Sequence, residues 1–271
     1  MGAVTPPFRI MGIVNVTPDS FSDGGEFLDA PAALAHARAL EEEGAALLDI
    51  GGESTRPGAQ PVAQDEELRR VVPVIEALAA GGTRAQISID TIKLEVARAA
   101  VDAGATFVND VTAFRHEPQL AGLVAERGLD CCLMHMRGEP RTMQLDPTYD
   151  DVVSDVKAFL EQRLAFAVAE GIAEERILLD PGIGFGKTPE HNLELMRRLP
   201  ELLTLGRPLL IGLSRKTFLG RITGREVGDR LAATLAANVL AYVAGATVFR
   251  VHDVAPLRDA LAVAAATVRR Q

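Results

Sequence analysis

Arg250 and His252 stand two residues apart in an apolar run, a spacing that sets both side chains on one face of a strand. A guanidinium beside an imidazole suits a phosphate or diphosphate. The competing use is a strand-end ion pair of Arg250 with Asp253. Asp90 and Asp180 each close another apolar run. A carboxylate so placed can accept two parallel N–H bonds from an aminopyrimidine edge, as acidic side chains do with the exocyclic amines of bases. Here the competing use is an internal ion pair with Lys216 or Arg250. From Asp180 to Thr188 the chain is rich in glycine. A P-loop would need glycine at position 181, which is proline, and a dinucleotide fingerprint would need it at 187, which is lysine. The segment therefore reads as backbone able to approach a flat ligand, with Phe185 free to stack on it. His135, between Met134 and Met136, reads as a satisfied structural histidine. His36, His116 and His191 read as solvated. The adjacent Cys131 and Cys132 point to opposite faces of a strand, so they read as buried thiols rather than a disulfide or a metal site.

These residues need a scaffold, and one pattern supplies it from end to end: a short apolar run, a polar or Gly-rich loop, then an Ala/Leu-rich amphipathic stretch. The runs are Arg9–Val16, Leu47–Gly52, Gln86–Thr91, Thr106–Thr112, Asp130–Met136, Ile177–Pro181, Pro208–Ser214 and Val248–Asp253. Between them the spacing predicts helices near 31–43, 65–80, 93–103, 117–127, 150–170, 190–204, 228–244 and 255–269. Glycines 44, 104, 128, 171 and 245 supply helix stops. Continuous apolar runs indicate strands covered on both faces, hence a parallel sheet. Strict alternation without a linker favours a single-domain (β/α)8 TIM barrel over residues 1–271 rather than an open doubly wound sheet. Each run ends in polar residues, and in a barrel these ends converge on one mouth.

Composition narrows the function classes. The 271 residues are 48% hydrophobic and only 4% aromatic, and the net charge of −9 argues against a nucleic-acid-binding surface. A small anionic ligand feels only the local field of a cleft and is still allowed. No basic stretch followed by an apolar core opens the chain, and the uncharged stretch 231–249 reads as helix, turn and strand rather than a membrane span, so a cytoplasmic protein without membrane partners is expected. The stretch 231–244 is more apolar than one barrel-covering face requires, which predicts a homodimer interface.

The run from Met11 to Gly25 (MGIVNVTPDSFSDGG) closely resembles the first signature of dihydropteroate synthases, and Asp49 to Gly58 (DIGGESTRPG) resembles the second. The Asp180–Lys187 loop, Ser214-Arg215-Lys216 and Arg250-Val251-His252 match in the same order. Thr112-Ala113-Phe114 and Leu213 depart slightly, away from the positions that matter. The resemblance implies condensation of 7,8-dihydropterin-6-ylmethyl diphosphate with 4-aminobenzoate in folate biosynthesis, and marks the chain as a sulfonamide target. It implies that Asp90, Asn109, Asp180 and Lys216 hold the pterin. Asn15 would ligate Mg²⁺, and Arg250 and His252 would bind diphosphate. Thr55, Arg56, Pro57, Phe185, Ser214 and Lys216 would form the 4-aminobenzoate side, with Phe21, Ser22 and Asp23 closing over it. Three rivals compete. A pterin-binding methyltransferase barrel lacks the two long loops and the Arg250/His252 pair. A Schiff-base aldolase would need a low pKa at Lys216, which its place beside two anion-binding groups disfavours. A non-catalytic paralogue should have lost some of these residues.

Overall fold

In the computed structural model, which describes residues 8–17, 30–55, 58–139 and 141–268, eight parallel strands form one sheet. The strands are β1 (Arg9–Asn15), β2 (Leu47–Gly51), β3 (Gln86–Asp90), β4 (Phe107–Asp110), β5 (Asp130–Met134), β6 (Ile177–Asp180), β7 (Leu210–Ile211) and β8 (Val248–Val251). Their order is β6-β5-β4-β3-β2-β1-β8-β7, and a parallel bridge between Leu179 and Leu209 brings the two ends together. The expected (β/α)8 barrel is therefore present. Helices α1 (Ala30–Glu42), α2 (Gln64–Ala80), α3 (Leu94–Ala103), α4 (Gln119–Arg127) and α5 (Val152–Ala169) cover its first half. Helices α6 (Pro189–Arg197), α7 (Leu199–Leu203), α8 (Thr217–Thr223), α9 (Leu231–Val243) and α10 (Val254–Thr267) cover the second.

Side-chain alternation divides the core in two. Residues of one parity, such as Ile10, Val14, Leu48, Ile89 and Cys131, pack outward against the helices. Those of the other parity fill the barrel interior as one apolar layer of Met11, Leu47, Phe107, Cys132, Leu178, Leu210 and Val248. Burying each large member contributes roughly 1.5–3 kcal/mol. The two cysteines thus lie on opposite faces, both free and buried. The interior floor below this layer is polar, where Gln86 Nε2 donates to Asp130 Oδ2 at 2.8 Å. Above it lies the layer that carries the candidate site.

Three expectations need correction. The predicted helix 190–204 is two helices that meet at Arg198, because Pro200 in the first turn of α7 cannot donate a backbone N–H to the preceding turn. β4 stops at Asp110, short of Thr112, because the Asp110 carboxylate accepts the N–H groups of Thr112 at 2.6 Å and Phe114 at 2.8 Å and turns the chain. α8 lies where a loop was expected. Glycine stops hold as predicted: at Gly104 φ is +124° and an added Cβ would stand 2.7 Å from the Ala79 Cβ. Among the described residues no helix is long and apolar enough to cross a membrane, and 231–249 forms α9, a turn and the start of β8.

Candidate active site

The polar layer begins with a register. Asp49 of β2 lies beside Ser88 of β3, and one pleat further on Gly51 lies beside Asp90, which lies beside Asn109 of β4. All share the parity of the interior layer, so they point into the barrel above it. Asp49 is fully enclosed. It accepts the Ser88 hydroxyl at 2.5 Å, the Asn109 Nδ2 at 3.0 Å and the Arg250 Nε at 2.6 Å. Arg250 donates through Nη2 to Asp90 Oδ2 at 2.8 Å. Burial raises the Asp90 pKa and Asp49, Glu67 and Asp110 add to the shift, while Arg250 opposes it. Burial also opposes the Arg250 charge, but Asp49 and Asp90 outweigh it and hold the guanidinium firmly protonated.

Asp180 stands across the mouth on β6. Its Oδ1 accepts the Gly182 N–H at 2.7 Å, and burial pushes its pKa up to about 6 against that bond and the charges of Lys216, Lys187 and Arg250. The glycine-rich loop then folds back over strand five. Lys187 clamps it, donating to the carbonyls of Gly182 at 2.9 Å and Phe185 at 3.0 Å, with His135 Nδ1 at 2.9 Å. Burial, with Lys187 and Arg115 nearby, drives His135 down to about 2, so this ring is neutral and structural as the sequence suggests. Phe185 presents its ring to Lys216, whose Nζ lies 4.1 Å from the centroid. Gly184 makes room for that lysine, since a Cβ there would sit 3.1 Å from Lys216 Cδ. Burial lowers Lys216 to about 8, although Asp180 opposes the shift. The expectation that its surroundings disfavour a lowered pKa is thereby corrected.

The loop after β7 turns through Arg215, a non-glycine residue in the left-handed region at φ +57°. Arg215 spends its charge outside the mouth, on Asp253 at 2.8 and 3.2 Å. Asp253 is thus paired with Arg215 rather than Arg250. Ser214, one residue earlier, lies 2.9 Å from His252 Nδ1 and accepts the His252 backbone N–H at 3.2 Å.

Taken together, a carboxylate and amide pocket faces a lysine, a flat ring and a half-buried arginine, the chemistry of an aromatic amide ligand carrying an anion. The family described as pterin binding enzyme matches residues 11–252. A dihydropteroate synthase of Escherichia coli strain K12 is 46% identical over 260 residues, 96% of this chain and 92% of that protein. The chain belongs to the dihydropteroate synthase family. Two solved structures of dihydropteroate synthase from Xanthomonas albilineans share the fold. One, with 4-aminobenzoic acid, matches at a TM-score of 0.91 and 52% identity, covering 97% of this chain and 94% of that one. The other, in complex with 7,8-dihydropteroate, matches at 0.87 and 49% identity with coverage of 97% and 94%.

Of the residues that the dihydropteroate synthase resemblance implies, the structure brings Asp90, Asn109, Asp180, Lys216, Arg250, His252, Ser214 and Phe185 to the C-terminal mouth. Asn15 ends β1 at the same rim. Thr55 lies two residues after Glu53, whose carboxylate takes the Lys93 ammonium at 2.6 Å. Lys93 also pairs with the buried Glu67 and donates to the Val62 carbonyl at 2.6 Å, stapling both ends of the loop after β2 to the start of α3. Arg56, Pro57, Phe21, Ser22 and Asp23 lie outside the described residues. Two polar residues of the layer are given no role by the sequence reading: Asp49, named there only as the start of the second signature, and Ser88. The available signal is a charged residue inside an apolar run with the same parity as Leu47. His191 also departs from its reading as solvated: its Nδ1 accepts the Thr188 N–H at 3.2 Å and its own N–H returns to Thr188 Oγ1 at 3.2 Å, a reciprocal cap on α6.

Proposed function

We propose that this chain condenses 7,8-dihydropterin-6-ylmethyl diphosphate with 4-aminobenzoate to give 7,8-dihydropteroate and diphosphate. The observation that carries this reading is the polar layer, in which buried Asp90, Asn109 and Asp180 and half-buried Lys216 and Arg250 meet at one mouth. It is supported by relatives solved with 4-aminobenzoic acid and with 7,8-dihydropteroate. Asp90, Asn109, Asp180 and Lys216 hold the pterin, while Arg250 and His252 take the diphosphate. The C–O bond between the methylene and the diphosphate breaks, its electron pair leaving with the diphosphate. The cation left on the methylene and ring is stabilised by the carboxylates of Asp180 and Asp90. The nitrogen lone pair of 4-aminobenzoate then forms the C–N bond and that nitrogen releases a proton to solvent. The arylamine is itself the nucleophile, so no activated serine or cysteine is required. Thr55, Arg56, Pro57, Phe185, Ser214 and Lys216 form the arylamine side, and Phe21, Ser22 and Asp23 cover it.

A Mg²⁺ ion fits this site as a companion of the diphosphate. Among the described residues no group of three His, Cys, Asp or Glu could hold a metal, and the Asn15 amide, half-buried at the rim, is a hard oxygen donor without a hydrogen bond of its own. Asn15 would supply one oxygen, and when bound the ion neutralises charge on the leaving diphosphate. The deciding assay is release of diphosphate from the pterin diphosphate on addition of 4-aminobenzoate. No release, together with binding of methyltetrahydrofolate, assigns the barrel to methyl transfer instead.

A homodimer is part of the same proposal. Leu240 and Val243, one turn apart on α9, are 64% and 53% exposed. Light scattering at micromolar concentration should give twice 28.9 kDa, and a monomer mass rejects the interface. The two free buried thiols suit the reducing cytoplasm, where we place the protein.

A further inference from the structure

Asp49 has no role in the chemistry above, yet its carboxylate has no exposed surface and bonds to side chains of three other strands at once, β3, β4 and β8. Oδ1 accepts from Ser88, and Oδ2 accepts from both Asn109 and Arg250. Two chemical consequences follow. A side-chain amide has a donor end and an acceptor end, and nothing in its shape chooses between them. With the Asn109 NH₂ committed to Asp49, its Oδ1 is the end left to accept a ligand N–H. A guanidinium has five N–H groups in a rigid plane. Asp49 takes Nε and Asp90 takes Nη2, so the plane is fixed from two sides and the Nη1 group has no partner among the described residues. Those N–H groups remain for an anion.

We propose that Asp49 is a positioning residue: one buried carboxylate sets the sense of the Asn109 amide and the plane of the Arg250 fork together. Ser88 is its orienting partner, since its hydroxyl holds Oδ1 and leaves Oδ2 toward the two donors. The pterin contact and the diphosphate contact are then set by the same group, which rests on the function proposed above for Asn109 and Arg250.

The test separates the two contacts. Binding of 6-hydroxymethyl-7,8-dihydropterin and of inorganic diphosphate with Mg²⁺ is measured by calorimetry on the full chain, on Asp49→Asn and on Ser88→Ala, beside steady-state kinetics. Asp49→Asn should weaken both probes by roughly 10- to 100-fold, the range for hydrogen bonds to charged groups. Ser88→Ala should act in the same direction but less, by about 3- to 10-fold, because it removes a bond to Oδ1 and leaves both Oδ2 donors in place. In both, kcat/KM for the pterin diphosphate falls while KM for 4-aminobenzoate is unchanged. A purely structural residue would lower the melting temperature and leave both affinities intact, and that result overturns the proposal, as does loss of diphosphate binding alone. Should Asp49→Asn fail to fold, Ser88→Ala decides by the same measurements. An unaltered chain that binds neither probe rejects the proposed function itself, before any variant is compared.

Discussion

Burial acts in opposite directions on two charges at neighbouring strand ends, raising Asp180 to about 6 and lowering Lys216 to about 8. Both are charged only between those values. kcat/KM for the pterin diphosphate should therefore follow a bell with an alkaline limb near 8 and an acid limb between about 6 and 7 to which Asp180 and Asp90 both contribute, so Asp180→Asn should leave only the Asp90 part. An acid limb unchanged in that variant removes Asp180 from the profile. Stability runs the other way. The raised Asp180 contributes stability below its ordinary 3.8 that is lost as pH rises through about 6. The lowered Lys216 contributes stability above its ordinary 10.5 that is lost as pH falls through about 8. The site thus opposes folding most in the window where it works, and a double Asp180→Asn, Lys216→Met variant should resist urea better than the parent at pH 7. For Arg250→Ala, loss of one well-aimed donor predicts a fall of roughly 10²–10³ in kcat/KM, read as diphosphate release. Asp90 and Asp180 were legible in the sequence because each is a charge ending an apolar run, and Arg250 because His252 shares its face two residues on. Asp49 was not, because its meaning depends on which strand lies beside it, and pairing is not written in a single run.

At the scale of elements, the loop from β6 to α6 owes its turns to glycine backbone. Gly182 has φ +65°, and any Cβ there would meet the His135 carbonyl oxygen. Gly182→Ala should therefore cost about 2–4 kcal/mol through strain and overlap, read as a lowered urea midpoint with the slope unchanged. A midpoint equal to the parent's would mean the loop can move off strand five. The staple on the loop after β2 behaves differently, because Glu67 is 1% exposed and Lys93 is its cation. Removing that partner by Lys93→Met leaves a buried carboxylate and should cost roughly 3–5 kcal/mol in the same experiment. A double variant that also carries Glu67→Gln should recover part of the loss. Strand existence was legible from continuous apolar runs. Strand ends were not, because side chains such as Asp110 capture backbone N–H groups that a longer strand would have used. α8 was missed for a related reason: its sequence, with Thr217, Gly220, Ile222 and Thr223, carries little helical preference and depends on its neighbours.

For the whole molecule, eight repeats of strand and helix made the barrel readable, since no linker or change of composition offers a second domain. What the repeats could not convey is that the ring is uneven. β7 has only two residues, and the join between β6 and β7 consists of one isolated bridge, with Leu179 N donating to the Pro208 carbonyl at 3.1 Å. Pro208 offers no N–H in return. A barrel that breathes should open along this seam, with the amides of Leu179 and Leu210 exchanging ahead of those in β2 and β3. Asp180 ends the strand on one side of the seam, and Ser214 and Lys216 follow the strand on the other. A molecule held by both banks would act as the rungs the sheet lacks there, and hydrogen exchange at the seam should slow when it binds. The enzyme's substrate would then be, for as long as it stays, part of the wall that encloses it.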